Sequence, residues 1–187
     1  TNRGTVLANK VAVVVSGHTT TITETAGLRL PIKSFNLAAF VSEPVKPLID
    51  VIVNCPDLGV YLNQSDKGEL VIGGAPDPGQ SFRRDMKQNV FEEAVVTMLE
   101  LFPAFRRLKL LRQWGGVLDI AHDATPIISA TDIPGLFVSC GWWGGFKAVP
   151  AGGYSLAHLI ATGQPHNIAA PFTLDRFHHL DFIVESG

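Results

Sequence analysis

The sequence predicts a mixed fold, α/β joined to α+β in one chain, and three observations carry that expectation. A wholly apolar run of valines and alanine at 11–15 is bounded by a polar turn and by Ser16-Gly17, as a buried parallel strand is. A second apolar strand, Leu136-Phe137-Val138, leads through Gly141, Gly144 and Gly145 into a helix. Between them, residues 30–74 break into short runs separated by proline and glycine turns, the pattern of an antiparallel sheet.

Taken in order, Ser16-Gly17 opens a helix that Gly27 ends. A central parallel strand needs neighbours, and the strand and helix that should precede this one are not in the sequence, so the segment reads as the continuation of a domain. Four strand-like runs follow, at 34–42, 51–54, 59–64 and 69–73, with Phe35, Leu37, Ala39 and Val41 alternating onto one face. A periodic helix is expected over 84–102, its stripe made of Met86, Val90, Phe91, Ala94, Val95, Met98, Leu99 and Phe102, with Pro103 ending it. Both methionines read as core packing. The chain returns through strands at 108–120, a polar turn at His122-Asp123, and a short strand, Ile127-Ile128. These changes divide it into residues 1–30, 31–120 and 121–187.

Composition narrows the function classes. With 187 residues, 46% of them hydrophobic and 17% charged, the chain is long enough for a substantial core. A net charge of -2 without any Lys/Arg run argues against nucleic acid or an anionic membrane as a partner, and no apolar run reaches the roughly 20 residues of a membrane helix. Cys55 and Cys140 form no CxxC pair and no signal peptide is present, so a reducing cytoplasm is expected. Six histidines without HExxH or similar spacing predict no metal site, and Ser16-Gly17-His18 lacks the glycine that a nucleophile elbow requires.

Chemistry concentrates in residues 134–163. Pro134-Gly135 enters the strand, Pro150 suits a first helical turn, Leu156, Leu159 and Ile160 supply an apolar face, and Gly163 with Pro165 stops the helix. The helix start carries unpaired N–H groups and about half a positive charge, and Lys147 lies in the loop before it, an arrangement that suits an anion. The loop matches neither GxGxxG nor the Walker pattern, and on spacing alone its glycines serve an ordinary strand-to-helix turn equally well. By the same measure Lys147 is either a solvated lysine or the partner of an anion, and Trp142 and Trp143 are either core residues or the walls of a site. His158 fits a packed position in the helix.

The segment GLFVSCGWWGGFKAVPAGG resembles the C-terminal flavin-contacting segment of the glycine oxidase and sarcosine oxidase family of FAD-dependent amine oxidases. Ser16-Gly17 after the first strand, Trp114-Gly115-Gly116 and Pro126-Ile127-Ile128 are similar to steps of that family. SDKGELVIGG, RQWGG, CGWW and APFTLDRF resemble in particular the β subunits of heterotetrameric sarcosine oxidases, over all 187 residues but only the C-terminal half of such a subunit.

This resemblance implies the second half of a bipartite FAD-binding domain, from residues 1–30 and 121–187, plus an antiparallel-sheet substrate domain with a covering helix from 31–120. It implies FAD contacts at Ser16, Gly17, Trp114, Gly116, Gly141, Gly144, Gly145, Phe146 and Lys147, with Lys147 also the catalytic-site lysine that holds the substrate carboxylate. The implied reaction is oxidation of a secondary amino acid such as sarcosine by net hydride transfer to the flavin. Electrons would then pass to an FMN at a partner-subunit interface in a hetero-oligomeric oxidase that supplies the missing N-terminal half. Two positions depart from the family. Leu118 stands where some relatives place a carboxylate-gripping arginine, and Val71 stands where single-chain sarcosine oxidases place a lysine for reaction with oxygen. An opine, proline or glycine as substrate, or a non-catalytic interaction module, are the alternative expectations.

Overall fold

Turn residues and apolar runs divide the chain, in order, into β1 (Val11–Val13), α1 (Thr19–Thr25), β2 (Ile32–Pro44), β3 (Val53–Cys55), β4 (Val60–Gln64), β5 (Glu69–Gly73), α2 (Gln88–Leu101), β6 (Leu110–Ala121), β7 (Ile127–Ala130), β8 (Leu136–Cys140), α3 (Val149–Thr162) and α4 (Asp175–His178). The computed structural model describes residues 1–74, 76–85 and 87–183. They form two units, Thr1–Ser34 with Leu118–Gly187, and Phe35–Val117.

The first unit is built on a sheet of order β1-β8-β7. Gly135 accepts the Val11 N–H at 2.8 Å and sets the parallel register Val11↔Leu136, while β7 runs antiparallel on the other side. With neighbours on both edges and no charged residue, β8 is buried at all five positions. Val13, Ile32, Ala121, Val138 and Cys140 pack on one side of it, and Ile128, Phe137, Leu156 and Leu159 pack on the other. Burial pushes the Cys140 thiol up, and the nearby Asp119 adds to the shift, so this cysteine stays protonated and serves as a small apolar residue.

The apolar run at 11–15 differs from expectation. Only three of its residues are strand and only Val13 is buried, while Val11 and Val14 are 51% and 56% exposed. As an edge strand with β8 its one ladder partner, β1 leaves these side chains uncovered in this chain.

The tail is fastened by a buried ion pair. Arg176 reaches Asp123 in the β6–β7 turn, Nε donating to Oδ2 at 2.8 Å and Nη2 to Oδ1 at 3.1 Å. Its guanidinium also donates to the Thr125 and Thr173 carbonyls and lies 4.3 Å from the Phe177 ring centroid. Burial alone would raise the Asp123 carboxyl, but the hydrogen bonds and charge of Arg176 outweigh it and hold the group below the usual carboxylate range.

The second unit is a sheet of order β3-β4-β5-β2-β6 covered by α2. Phe40, Leu62, Leu70 and Ile72 meet Ala94, Met98 and Phe105, and the Phe40 and Phe91 rings pack edge to face at 5.4 Å. Of the alternating set Phe35, Leu37, Ala39 and Val41, which shares a face of β2, Ala39 is buried and the other three are half-buried. The covered face carries Asn36, Ala38, Phe40 and Ser42, because α2 lies there. Helix α2 starts at Gln88 rather than at 84, since Lys87 is extended with ψ 144°. Met86, expected on its stripe, lies outside the described residues.

Candidate functional site

The glycine loop begins where β8 ends. Gly141 has φ +73°, and a Cβ there would stand 2.9 Å from Ala121 Cβ and 3.1 Å from Ala121 N. Only glycine meets both demands, so Gly141→Ala should cost about 2 kcal/mol of stability, measurable by chemical denaturation. Trp142 turns inward: its indole N–H donates to Ser139 Oγ at 3.1 Å, and its ring occupies the space beside Gly152, where a Cβ would come within 2.4 Å of Cη2. Of the two tryptophans, Trp142 is therefore a packing residue, and Trp143 stays 48% exposed.

Beyond them Gly144 turns the backbone at φ +66° with open space where a Cβ would stand. A 3-10 turn, Gly145–Lys147, leaves Phe146 99% exposed and Lys147 exposed. Helix α3 then starts with Pro150 in its first turn and no capping side chain. The loop thus presents aromatic surface, one ammonium and an uncapped helix start, a combination suited to a flat ligand with an anionic edge.

Asp119, which sequence reasoning missed, ties this loop to the segment after β1. Its side chain is 1% exposed; Oδ2 accepts the Gly141 N–H at 3.0 Å, and Ser16 Oγ donates to Oδ1 at 3.4 Å. The Gly17 carbonyl accepts Ser34 Oγ at 2.8 Å and the Ser16 carbonyl accepts Thr19 Oγ1 at 2.6 Å. Ser16, Gly17 and Gly141 are therefore brought together at the carboxyl ends of the parallel pair, the position at which open α/β sheets bind ligands. The one available signal was a lone acid between Leu118 and Ile120 in an apolar strand.

The remaining expected residues belong to the second unit. Trp114 on β6 is 41% exposed, with the Arg112 guanidinium 5.9 Å from its ring. Gly115 lies against Asn36 Oδ1 and the Arg84 carbonyl and admits no side chain, whereas Gly116 faces open space. Val71 lines an open cleft of about 640 Å³ with Val41, Leu111, Lys67, Glu69 and Arg112. In the first unit, Leu118 is half-buried and His158 packs edge-on against His166 with ring centroids 5.2 Å apart. Among the described residues no helix is long and apolar enough to cross a membrane.

A glycine loop at the carboxyl ends of a parallel pair, with an antiparallel unit inserted in the chain, defines a mixed α/β protein with a candidate ligand site at that loop. The family model of FAD dependent oxidoreductases matches residues 1–159, and the chain belongs to that family. It is 47% identical over its full length to the sarcosine oxidase subunit beta of Rhodobacter capsulatus and 44% identical to that of an Arthrobacter species, covering 45% and 46% of their lengths. The chain thus spans a little under half of these relatives. Its fold is similar to that of the L-proline dehydrogenase of P. horikoshii, with TM-score 0.83 and 24% identity over 91% of this chain and 47% of that one. The glycine oxidase of Geobacillus kaustophilus is similar with TM-score 0.79 and 22% identity, over 89% of this chain and 45% of that one.

Proposed function

We propose that this chain is part of a flavin-dependent oxidase of a secondary amino acid, sarcosine being the substrate favoured. The observation that carries this is 43–47% identity along the whole chain to three sarcosine oxidase β subunits. In this reading the first unit contributes the second half of an FAD-binding domain and the second unit is the substrate domain.

The residues present fit FAD. Gly144 leaves room beside the backbone, Trp143 and Phe146 offer apolar surface, and Lys147 with the uncapped start of α3 supplies positive potential for an electron-rich edge. Bound FAD supplies the two-electron acceptor for oxidation of the C–N bond. Gly144, with open space where a Cβ would stand, would let a ring lie close to the backbone, Gly141 and Gly145 hold the loop's course against Ala121 and Trp142, and Ser16 and Gly17 would lie against the nucleotide half. Trp114 and Gly116 are the candidates for flavin contact within the second unit. The Lys147 ammonium pairs with the substrate carboxylate and orients the carbon next to nitrogen, while Trp143 and Phe146 exclude water. Val71 brings no ammonium for reaction with oxygen, and an FMN at a partner-subunit interface would supply another electron acceptor. The whole protein works with partner subunits in the cytoplasm, where Cys55 and Cys140 remain free thiols.

Anaerobic addition of sarcosine to the whole protein, produced with its partners, tests the reading. The expected result is stoichiometric FAD that sarcosine bleaches faster than proline, glycine or an opine does; a colourless protein would sink the proposal. The 187 residues alone should hold FAD no tighter than micromolar, because the βαβ unit that cradles a pyrophosphate is not among them. Equilibrium dialysis measures this.

A further inference from the structure

We propose that Asp119 is a positioning residue for the flavin site, its carboxylate clasping the segments that follow β1 and β8 and thereby fixing Ser16-Gly17 against the loop that carries Lys147. The inference rests on the flavin reading above. A buried carboxylate is costly unless a cation or several donors compensate it. Among the described residues Asp119 takes part in no ion pair. Its partners are one backbone N–H and one hydroxyl, and they lie on different crossings of the sheet. Packing alone would be met more cheaply by an apolar side chain, so the acid at this place answers to its two donors.

Backbone strain points the same way. Ser16 is a non-glycine residue at φ +48°, a conformation that persists only where the surroundings impose it and that concentrates at ligand sites. The Gly141 amide held by Asp119 is the first of the loop, six positions before Lys147, so the clasp sets where the loop begins.

Affinity for FAD, titrated into the deflavinated whole protein by flavin fluorescence well below each variant's melting temperature, reads the clasp without recourse to turnover. Asp119→Asn retains an acceptor for Gly141 and offers a donor to the Ser16 hydroxyl, whereas Asp119→Ala removes both. The alanine variant should bind FAD at least about tenfold more weakly, and the asparagine variant should stay within about threefold of wild type. Wild-type affinity in Asp119→Ala, even with a lowered melting temperature, would make the residue structural only and overturn the inference. So would an asparagine variant as impaired as the alanine one. If Asp119→Ala does not fold, Asp119→Val fills the same space without an acceptor: FAD binding several-fold weaker than in Asp119→Asn supports the clasp, and binding equal to wild type overturns it. Wild-type protein that takes up no FAD marks failure of the flavin reading itself, and the inference falls with it.

Discussion

Replacing Arg176 with leucine should lower the free energy of unfolding by about 3 to 5 kcal/mol, the cost of leaving one partner of a buried ion pair without the other. Both side chains are almost completely enclosed, at 4% and 3% exposure, so solvent screens the pair little. The substitution also deprives the Thr125 and Thr173 carbonyls of their donor. A double variant, Asp123→Leu with Arg176→Leu, should recover much of the loss, because no charge is then left stranded. The pH dependence follows from Asp123, whose carboxyl is held below its ordinary value. In the wild type the pair contributes fully above the unfolded value of about 3.9 and is lost as pH falls through the lower folded value. The gap between wild type and Arg176→Leu should therefore narrow below about pH 4. Urea denaturation at neutral and acid pH measures both effects, and a deficit that does not change with pH would remove the ion pair as its cause.

What could be read in the sequence was local. Proline and glycine at 134–163 mark the strand, the loop and both ends of α3 because each acts on its own φ or its own hydrogen bond. The parts not legible join residues far apart in the chain. Asp119 meets Ser16 across 103 positions and Gly141 across 22, and Arg176 meets Asp123 across 53, so no periodicity announces either contact. The covered face of β2 was hidden for a different reason. Apolar residues occupy both of its alternating sets, and only the docking of α2 decides that Ala38 and Phe40 are enclosed while Val41 lines an open cleft. Trp142 and Trp143 are adjacent and alike in sequence, yet the space left by Gly152 admits only the first.

Lys147→Met in the whole protein should reduce kcat/KM for sarcosine about tenfold to a few hundredfold, if the ammonium pairs with the substrate carboxylate as proposed. Charge-assisted hydrogen bonds contribute roughly 1.5 to 3 kcal/mol, and more where truncation strands a buried charge. Methionine keeps most of the bulk and removes the charge. Because Lys147 is exposed at the end of a short turn, it holds no part of the core, and the melting temperature should change little. The loss should also depend on the substrate. An amine without a carboxylate should react poorly with the parent enzyme and be nearly indifferent to the substitution, whereas a lysine that served only the fold would depress both substrates together with the melting temperature. Steady-state kinetics on the two substrates beside a melting curve decides between these, and equal losses on both would take Lys147 out of the substrate site.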